Sequence, residues 1–173
     1  MPVTGTYETI DNRPVLRFGR TFPHPAETVW DAITDPSQLA GWFPSTIEFT
    51  SLQPGAPIRF EFPNHDIPAM TGEVRVVEPG RRLAFTWGDD ELTFELESRD
   101  QGSGCRLSLT VRLDGADKAA RDAAGWEVCL DELEKVAARG SGTQPGTSPT
   151  GEWREYYDKY RRRGLPASAP VPE

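Results

Sequence analysis

Chemically versatile side chains are scarce here: 173 residues contain two histidines, two cysteines and two methionines. There is no paired CxxC, no HExxH, no glycine-rich phosphate loop and no GxSxG turn, so the common metal, nucleotide and nucleophile motifs are missing. His24 stands just before Pro25 and His65 lies in the loop 63–68, where a helix-start position and a solvated loop tip are the expected roles. Asp66 beside His65 adds one ligand type, but two neighbours do not make a tetrahedral set. No metal, cofactor or catalytic residue is assigned. Cys105 and Cys129 fall at core-facing positions of a strand and a helix and read as buried, reduced thiols. No run approaches the ~20 apolar residues of a membrane span. The polar start, Met1 to Arg13, lacks a secretion signal's hydrophobic core, so a cytoplasmic protein is expected. Positive charge is outweighed, with 19 Lys and Arg against 27 Asp and Glu. The formal net charge is −8 and the single basic run, Arg161 to Arg163, is short, which disfavours nucleic acid as a partner.

What the chain does have is alternation. Leu92, Phe94 and Leu96 alternate with polar residues, as do Cys105, Leu107, Leu109, Val111 and Leu113, and period two marks half-buried strands. Ile47/Phe49, Ile58/Phe60/Phe62, Val74/Val76 and Leu83/Phe85/Trp87 repeat the pattern, and Leu16, Phe18 and Phe22 make an earlier strand. The connections are short turn signals such as Pro54-Gly55, Pro79-Gly80 and Gly88-Asp89-Asp90, so an antiparallel meander of about seven strands is predicted. The hairpin run Asp89-Asp90-Glu91 is expected to be solvated.

Two short helices follow the first strand. Pro25 suits a first helical position, and Val29, Trp30 and Ile33 recur at helical spacing. Asp35 can cap a second helix that begins with Pro36, with Gln38 placed to reach back, before Gly41 releases Trp42 and Phe43. A long helix, Asp117 to Arg139, carries the stripe Ala119, Ala123, Trp126, Leu130, Leu133 and Ala137, with Asp117 as its cap and Gly140 just past its end. It covers the apolar face of the sheet.

Particular residues carry a family likeness: Val29-Trp30, Thr34-Asp35-Pro36, Trp42-Phe43, Gly72-Glu73-Val74, Arg82-Leu83, Phe85-Thr86-Trp87, and Gly125-Trp126 with Leu130 and Leu133. In that order, over roughly residues 15 to 139, the chain resembles the bacterial relatives of the heat-shock-protein ATPase activator. These form a branch of the START-related (SRPBCC) superfamily that also includes birch-pollen-allergen-like proteins and polyketide cyclases. The resemblance implies an α+β helix-grip fold, a curved antiparallel sheet around a long C-terminal helix. It also implies a pocket between helix and sheet for an apolar, lipid-like ligand.

Side-chain volume leaves two readings of that space. Ala119, Ala120, Ala123, Ala124 and Gly125 over a sheet of large aromatics either allow close packing or leave a cavity. Candidate lining residues are Phe18, Trp42, Phe60, Phe62, Met70, Trp87, Phe94, Leu107, Trp126 and Leu130. Arg20 shares the inward parity of Leu16, Phe18 and Phe22. If buried, its guanidinium needs a carboxylate or an anionic ligand head group; a bulge at Gly19 would instead turn it outward. Gly125 inside a helix costs about 1 kcal/mol against Ala, which points to a close backbone approach or a bend.

Beyond residue 139 the composition changes. Residues 140–151 read as a flexible linker, 152–163 as an amphipathic helix and 164–173 as a disordered tail, with 1–14 a flexible start to the domain 15–139. Trp153, Tyr156, Tyr157 and Tyr160 form the helix's stripe, with Glu152 and Glu155 early and Arg161 to Arg163 late, as the helix dipole favours. A helix this short needs a surface: its own domain, a protein partner or second copy, a pocket lid or a membrane face. The expected function is non-catalytic binding of a small hydrophobic or amphipathic molecule. The alternatives are a protein-interaction or chaperone-related module using the tail helix, in a stress-response setting, and a cyclase- or hydrolase-like enzyme.

Overall fold

The computed structural model describes residues 3–63, 66–140 and 150–171. His65 and all but the ends of the expected linker lie outside the described residues. Eight antiparallel strands form one sheet in the order β1-β2-β8-β7-β6-β5-β4-β3. They are β1 (Thr6–Ile10), β2 (Arg13–Phe22), β3 (Thr46–Phe49), β4 (Pro57–Glu61), β5 (Met70–Glu78), β6 (Arg82–Trp87), β7 (Asp90–Arg99) and β8 (Gly104–Arg112). Helices α1 (Ala26–Thr34) and α2 (Pro36–Leu39) interrupt the meander between β2 and β3. The long helix α3 (Ala119–Arg139) lies on the sheet's apolar face, and α4 (Gly151–Arg162) lies against α3. This is the helix-grip arrangement, with one strand more than the sequence predicts.

The extra strand is β1, in a segment expected to be flexible. Asp11 and Asn12 both adopt positive φ, 50° and 64°, and Ile10 pairs with Arg13 across them. A two-residue turn of this hand matches the twist of a hairpin, so Thr6–Ile10 folds back along β2. Between β2 and β8 the register runs unbroken through Gly19↔Ser108 and Arg20↔Leu107. There is no bulge at Gly19, and Arg20 keeps the inward parity of Phe18 and Phe22.

Pro25 is the N-cap of α1, one place before the first helical position expected for it, and no side chain caps that helix, whereas α2 is capped as its sequence predicts. Asp35 accepts hydrogen bonds from the Ser37 amide at 2.9 Å and the Ser37 hydroxyl at 2.8 Å. Those bonds hold its carboxyl below the usual range. Trp42 and Phe43, delivered by α2, are both fully buried.

The start of α3 differs from expectation. Lys118 is the N-cap residue, a 3-10 turn spans Ala116–Lys118, and no side chain caps the helix. First-turn amides need partners, and the Pro166 carbonyl accepts from the Ala120 amide at 2.9 Å. Asp117 contributes its carbonyl, accepting from the Ala169 amide at 3.1 Å. The tail expected to be disordered thus closes over the end of α3 as far as Val171, with Ala169 buried. Proline-rich composition suggests disorder, yet proline keeps its carbonyl acceptor. Gly140 ends α3 in the left-handed region, φ 75°, as its sequence position predicts.

Candidate functional site

Between the sheet and α3 the space is occupied by aromatic rings. Phe43 lies at their centre, with ring centroids 5.5 Å from Trp42, 5.6 Å from Trp87, 5.8 Å from Trp126, 6.1 Å from Phe85 and 6.2 Å from Phe60. Trp87 meets Trp126 edge-on at 5.4 Å. Such pairs add about 0.5–1.5 kcal/mol beyond area burial. Of the candidate lining residues, Phe18, Trp42, Phe60, Phe94, Leu107, Trp126 and Leu130 are buried in this one core. Phe62, Met70 and Trp87 remain half-buried, in or just beyond β4, β5 and β6.

Gly72 sets the approach of β5 to β6. A Cβ there would collide with the Thr86 carbonyl oxygen and lie 2.8 Å from the Phe60 ring. The pairing of β5 with β6 shifts register between Val74 and Val76, a bulge that bends the strand.

Two core tryptophans differ in their polar atoms. The Trp42 indole N–H donates to the Ala32 carbonyl at 2.8 Å. The Trp87 indole N–H is buried without a partner among the described residues, and so is the Ser45 hydroxyl. A lost partner for a buried donor costs about 1–3 kcal/mol.

Arg20 meets carboxylates. Its guanidinium donates to Glu127 at 3.1 Å, to Asp131 at 2.8 Å and to Glu134 at 3.3 Å. Burial opposes its charge, but the bonds to Asp131 and the nearby Glu127 prevail, so its pKa is raised. Glu127 is 0% exposed and accepts from the Thr4 amide at 2.8 Å and the Thr4 hydroxyl at 2.5 Å. The Gly5 amide donates to the Tyr160 hydroxyl at 2.8 Å, and the Tyr156 hydroxyl donates to Asp131 at 2.7 Å. The network ties β2, the first described residues, α3 and α4 together. Thr4, Glu127 and Asp131 were not among the expected site residues, although Glu127 follows Ala123 by four positions on the buried stripe.

Two further expectations change. Asp90, expected to be solvated, is 4% exposed. It accepts from Lys118 Nζ at 2.8 Å and from the Asp114 amide at 3.0 Å, pinning the start of β7 to the entry of α3. Burial raises its pKa despite Lys118, whereas the Lys118 hydrogen bond lowers that of Asp114. Tyr156 and Tyr160, offered as partner contacts, are instead buried against α3 and the N-terminal segment. Their hydroxyl pKa values are pushed well up, by burial first and then by Asp131 and Glu127 respectively. Trp153 and Tyr157 stay half-buried. Gly125 faces Trp153, whose Nε1 would lie 3.9 Å from an added Cβ, so α4 is the close neighbour there. Cys105 and Cys129 are buried free thiols, and burial raises both pKa values. Among the described residues no group of three or more His, Cys, Asp or Glu is placed to hold a metal. Nor does any helix among them have the length and apolarity to cross a membrane.

The fold recurs among solved structures. A conserved protein of unknown function from Enterococcus faecalis is 19% identical with a TM-score of 0.75, over 92% of this chain and 89% of that one. CalU16 from Micromonospora echinospora is 20% identical with a TM-score of 0.67, over 92% and 94%. DynU16, a protein of the dynemicin biosynthetic locus, is 25% identical with a TM-score of 0.63; the match covers 76% of this chain but 49% of that longer one. No curated protein matches. Residues 23–138, from the turn before α1 to the last turn of α3, match the family described as Activator of Hsp90 ATPase homolog 1-like protein, and the chain belongs to that family.

Proposed function

We propose that the protein binds a small hydrophobic or amphipathic molecule, without catalysis, at the Trp87 end of the space between the sheet and α3. The observation that carries this reading is the indole N–H of Trp87, buried with no partner among the described residues, on a half-buried ring that packs, like Met70, at the margin of the aromatic core. Apolar walls with a few fixed polar groups are the usual make-up of a ligand site. A ligand oxygen would accept from Trp87, while its apolar body would lie against Met70 and the Trp87 and Trp126 rings. Arg20 does not serve as the anchor in this reading, because three carboxylates already hold it. The similar structure from the dynemicin biosynthetic locus supports a small-molecule role.

Thermal unfolding against fatty acids, sterols, flavonoids and aromatic polyketides tests the reading. A ligand at a hundred times its Kd should add about 2.7 kcal/mol of stability. Trp87→Phe keeps a ring and removes the donor, so the ligand-free melting temperature should hold while most of the ligand-induced rise disappears. If no compound raises the midpoint, or if Trp87→Phe retains the full rise, the proposal fails.

A further inference from the structure

Exposed arginines on the strands have acidic neighbours: Arg17 meets Glu8 at 3.1 Å, Arg59 meets Glu61 at 2.7 Å and Arg75 meets Glu73 at 3.1 Å. Helix α4 is different. Arg154, Arg161 and Arg163 are exposed and form no ion pair among the described residues. Arg162 donates to the Asp158 backbone carbonyl at 3.2 Å. Residues 150–171 hold five basic and three acidic side chains, a net of +2 in a chain whose formal charge is −8.

Beside these cations runs a groove of about 500 Å³. One wall carries Trp153 and Tyr157, stacked with centroids 4.8 Å apart, and Arg161 lies 5.6 Å over the Tyr157 ring. Ala167, Ala169 and Val171 of the tail form the other wall, and Arg154 also lines the groove. Among the described residues Asp158 is its single carboxylate. Trp, Tyr and Arg are the side chains that most often dominate protein contacts.

We propose that this groove docks a short acidic segment of a partner protein. One apolar side chain would sit between the Trp153–Tyr157 stack and the tail, and flanking carboxylates would meet Arg154, Arg161 and Arg162. Charge complementarity selects this occupant. A short acidic segment needs only the local field of α4, because screening confines exposed charges to about 8–10 Å. An extended polyanion such as a duplex or an anionic bilayer would also meet the acidic remainder of the protein. The groove lies outside residues 23–138, which carry the family match.

The test is fluorescence anisotropy with the full chain and a labelled peptide in which Leu-Ile is flanked on each side by glutamates. Saturable binding that weakens with added salt is expected, with no binding of the matching glutamine peptide. Arg154→Glu combined with Arg161→Glu should reduce affinity about tenfold or more at an unchanged melting temperature. The milder Arg154→Gln/Arg161→Gln pair covers the case in which charge reversal unfolds α4. The proposal is overturned if the acidic peptide fails to saturate or binds both variants as well as the parent. Preferential binding of phosphatidylserine vesicles, or a dimer by sedimentation that charge reversal dissolves, would overturn it too.

Discussion

The two sides of α3 are held by opposite chemistry. Toward the sheet, Trp126, Leu130 and Leu133 share many small contacts with the strand residues. Along the flank that faces β2's Arg20, the first described residues and α4, attachment depends on a few desolvated groups: Glu127 with Arg20 and Thr4, Asp131 with Arg20 and Tyr156, and Tyr160 with Gly5. Apolar contacts of this kind tolerate a volume-conserving swap. A buried charge cannot lose its partner so cheaply.

That contrast can be tested at its sharpest point first. Arg20→Ala leaves the fully buried Glu127 without its counter-ion and should cost about 3–5 kcal/mol. Leu130→Met on the opposite side should cost less than about 1.5 kcal/mol. Urea unfolding of both variants checks the difference. Equal losses would mean that Arg20 is held no more dearly than an ordinary core residue. Next comes Gly5→Ala. An added Cβ would collide with the Tyr160 hydroxyl and lie 2.7 Å from the Phe18 ring, so a loss of about 1–3 kcal/mol is expected in the same measurement.

Which parts of this contrast were legible beforehand follows from range. Period-two alternation names the inward residues of β2, β7 and β8, and spacing of three and four names the sheet side of α3. Both are local properties. Asp90 in a charge run looks solvated until Lys118, twenty-eight positions away, is placed beside it. Arg20's inward parity is readable in β2, but its choice among a carboxylate, a ligand and a bulge depends on residues more than a hundred positions distant. β1 carried a readable signal in Asp11-Asn12, and its neighbouring Thr, Tyr and Ile residues suit a strand. The tail's backbone bonds to the start of α3 depend on where that backbone lies, which composition does not encode. For the candidate site, the aromatic cluster was readable as a set, whereas the satisfaction of Trp42 and the orphaning of Trp87 depend on tertiary neighbours.

The polar side should also be the one that titrates. Tyr156 and Tyr160 have hydroxyl pKa values raised above the ordinary value of 10. Their contribution to folding is therefore complete below about pH 10 and is lost as pH climbs toward the folded values, at up to about 1.4 kcal/mol per unit for each. Tyrosinate absorbance should show Tyr156 and Tyr160 ionising late, together with the loss of α4. Ionisation of Tyr156 and Tyr160 near the ordinary value would contradict the burial of this side. The smallest effect has the opposite sign. Gly125→Ala places a methyl 3.9 Å from Trp153, ordinary contact, and should gain about 0.5–1 kcal/mol in helix stability. A loss in calorimetry would show that α4 sits closer to α3 than this.

The bonds from Thr4 to Glu127 and from Gly5 to Tyr160 span 123 and 155 positions of sequence. Closing such long loops costs chain entropy before it gains contacts, so these bonds are expected to form last, after the meander and α3 have come together. Interactions absent from the transition state act on the escape rate. The clasp between the first described residues and α4 would thus govern how long the native protein persists and leave its speed of formation almost untouched. Stopped-flow unfolding and refolding of Gly5→Ala would show the asymmetry directly.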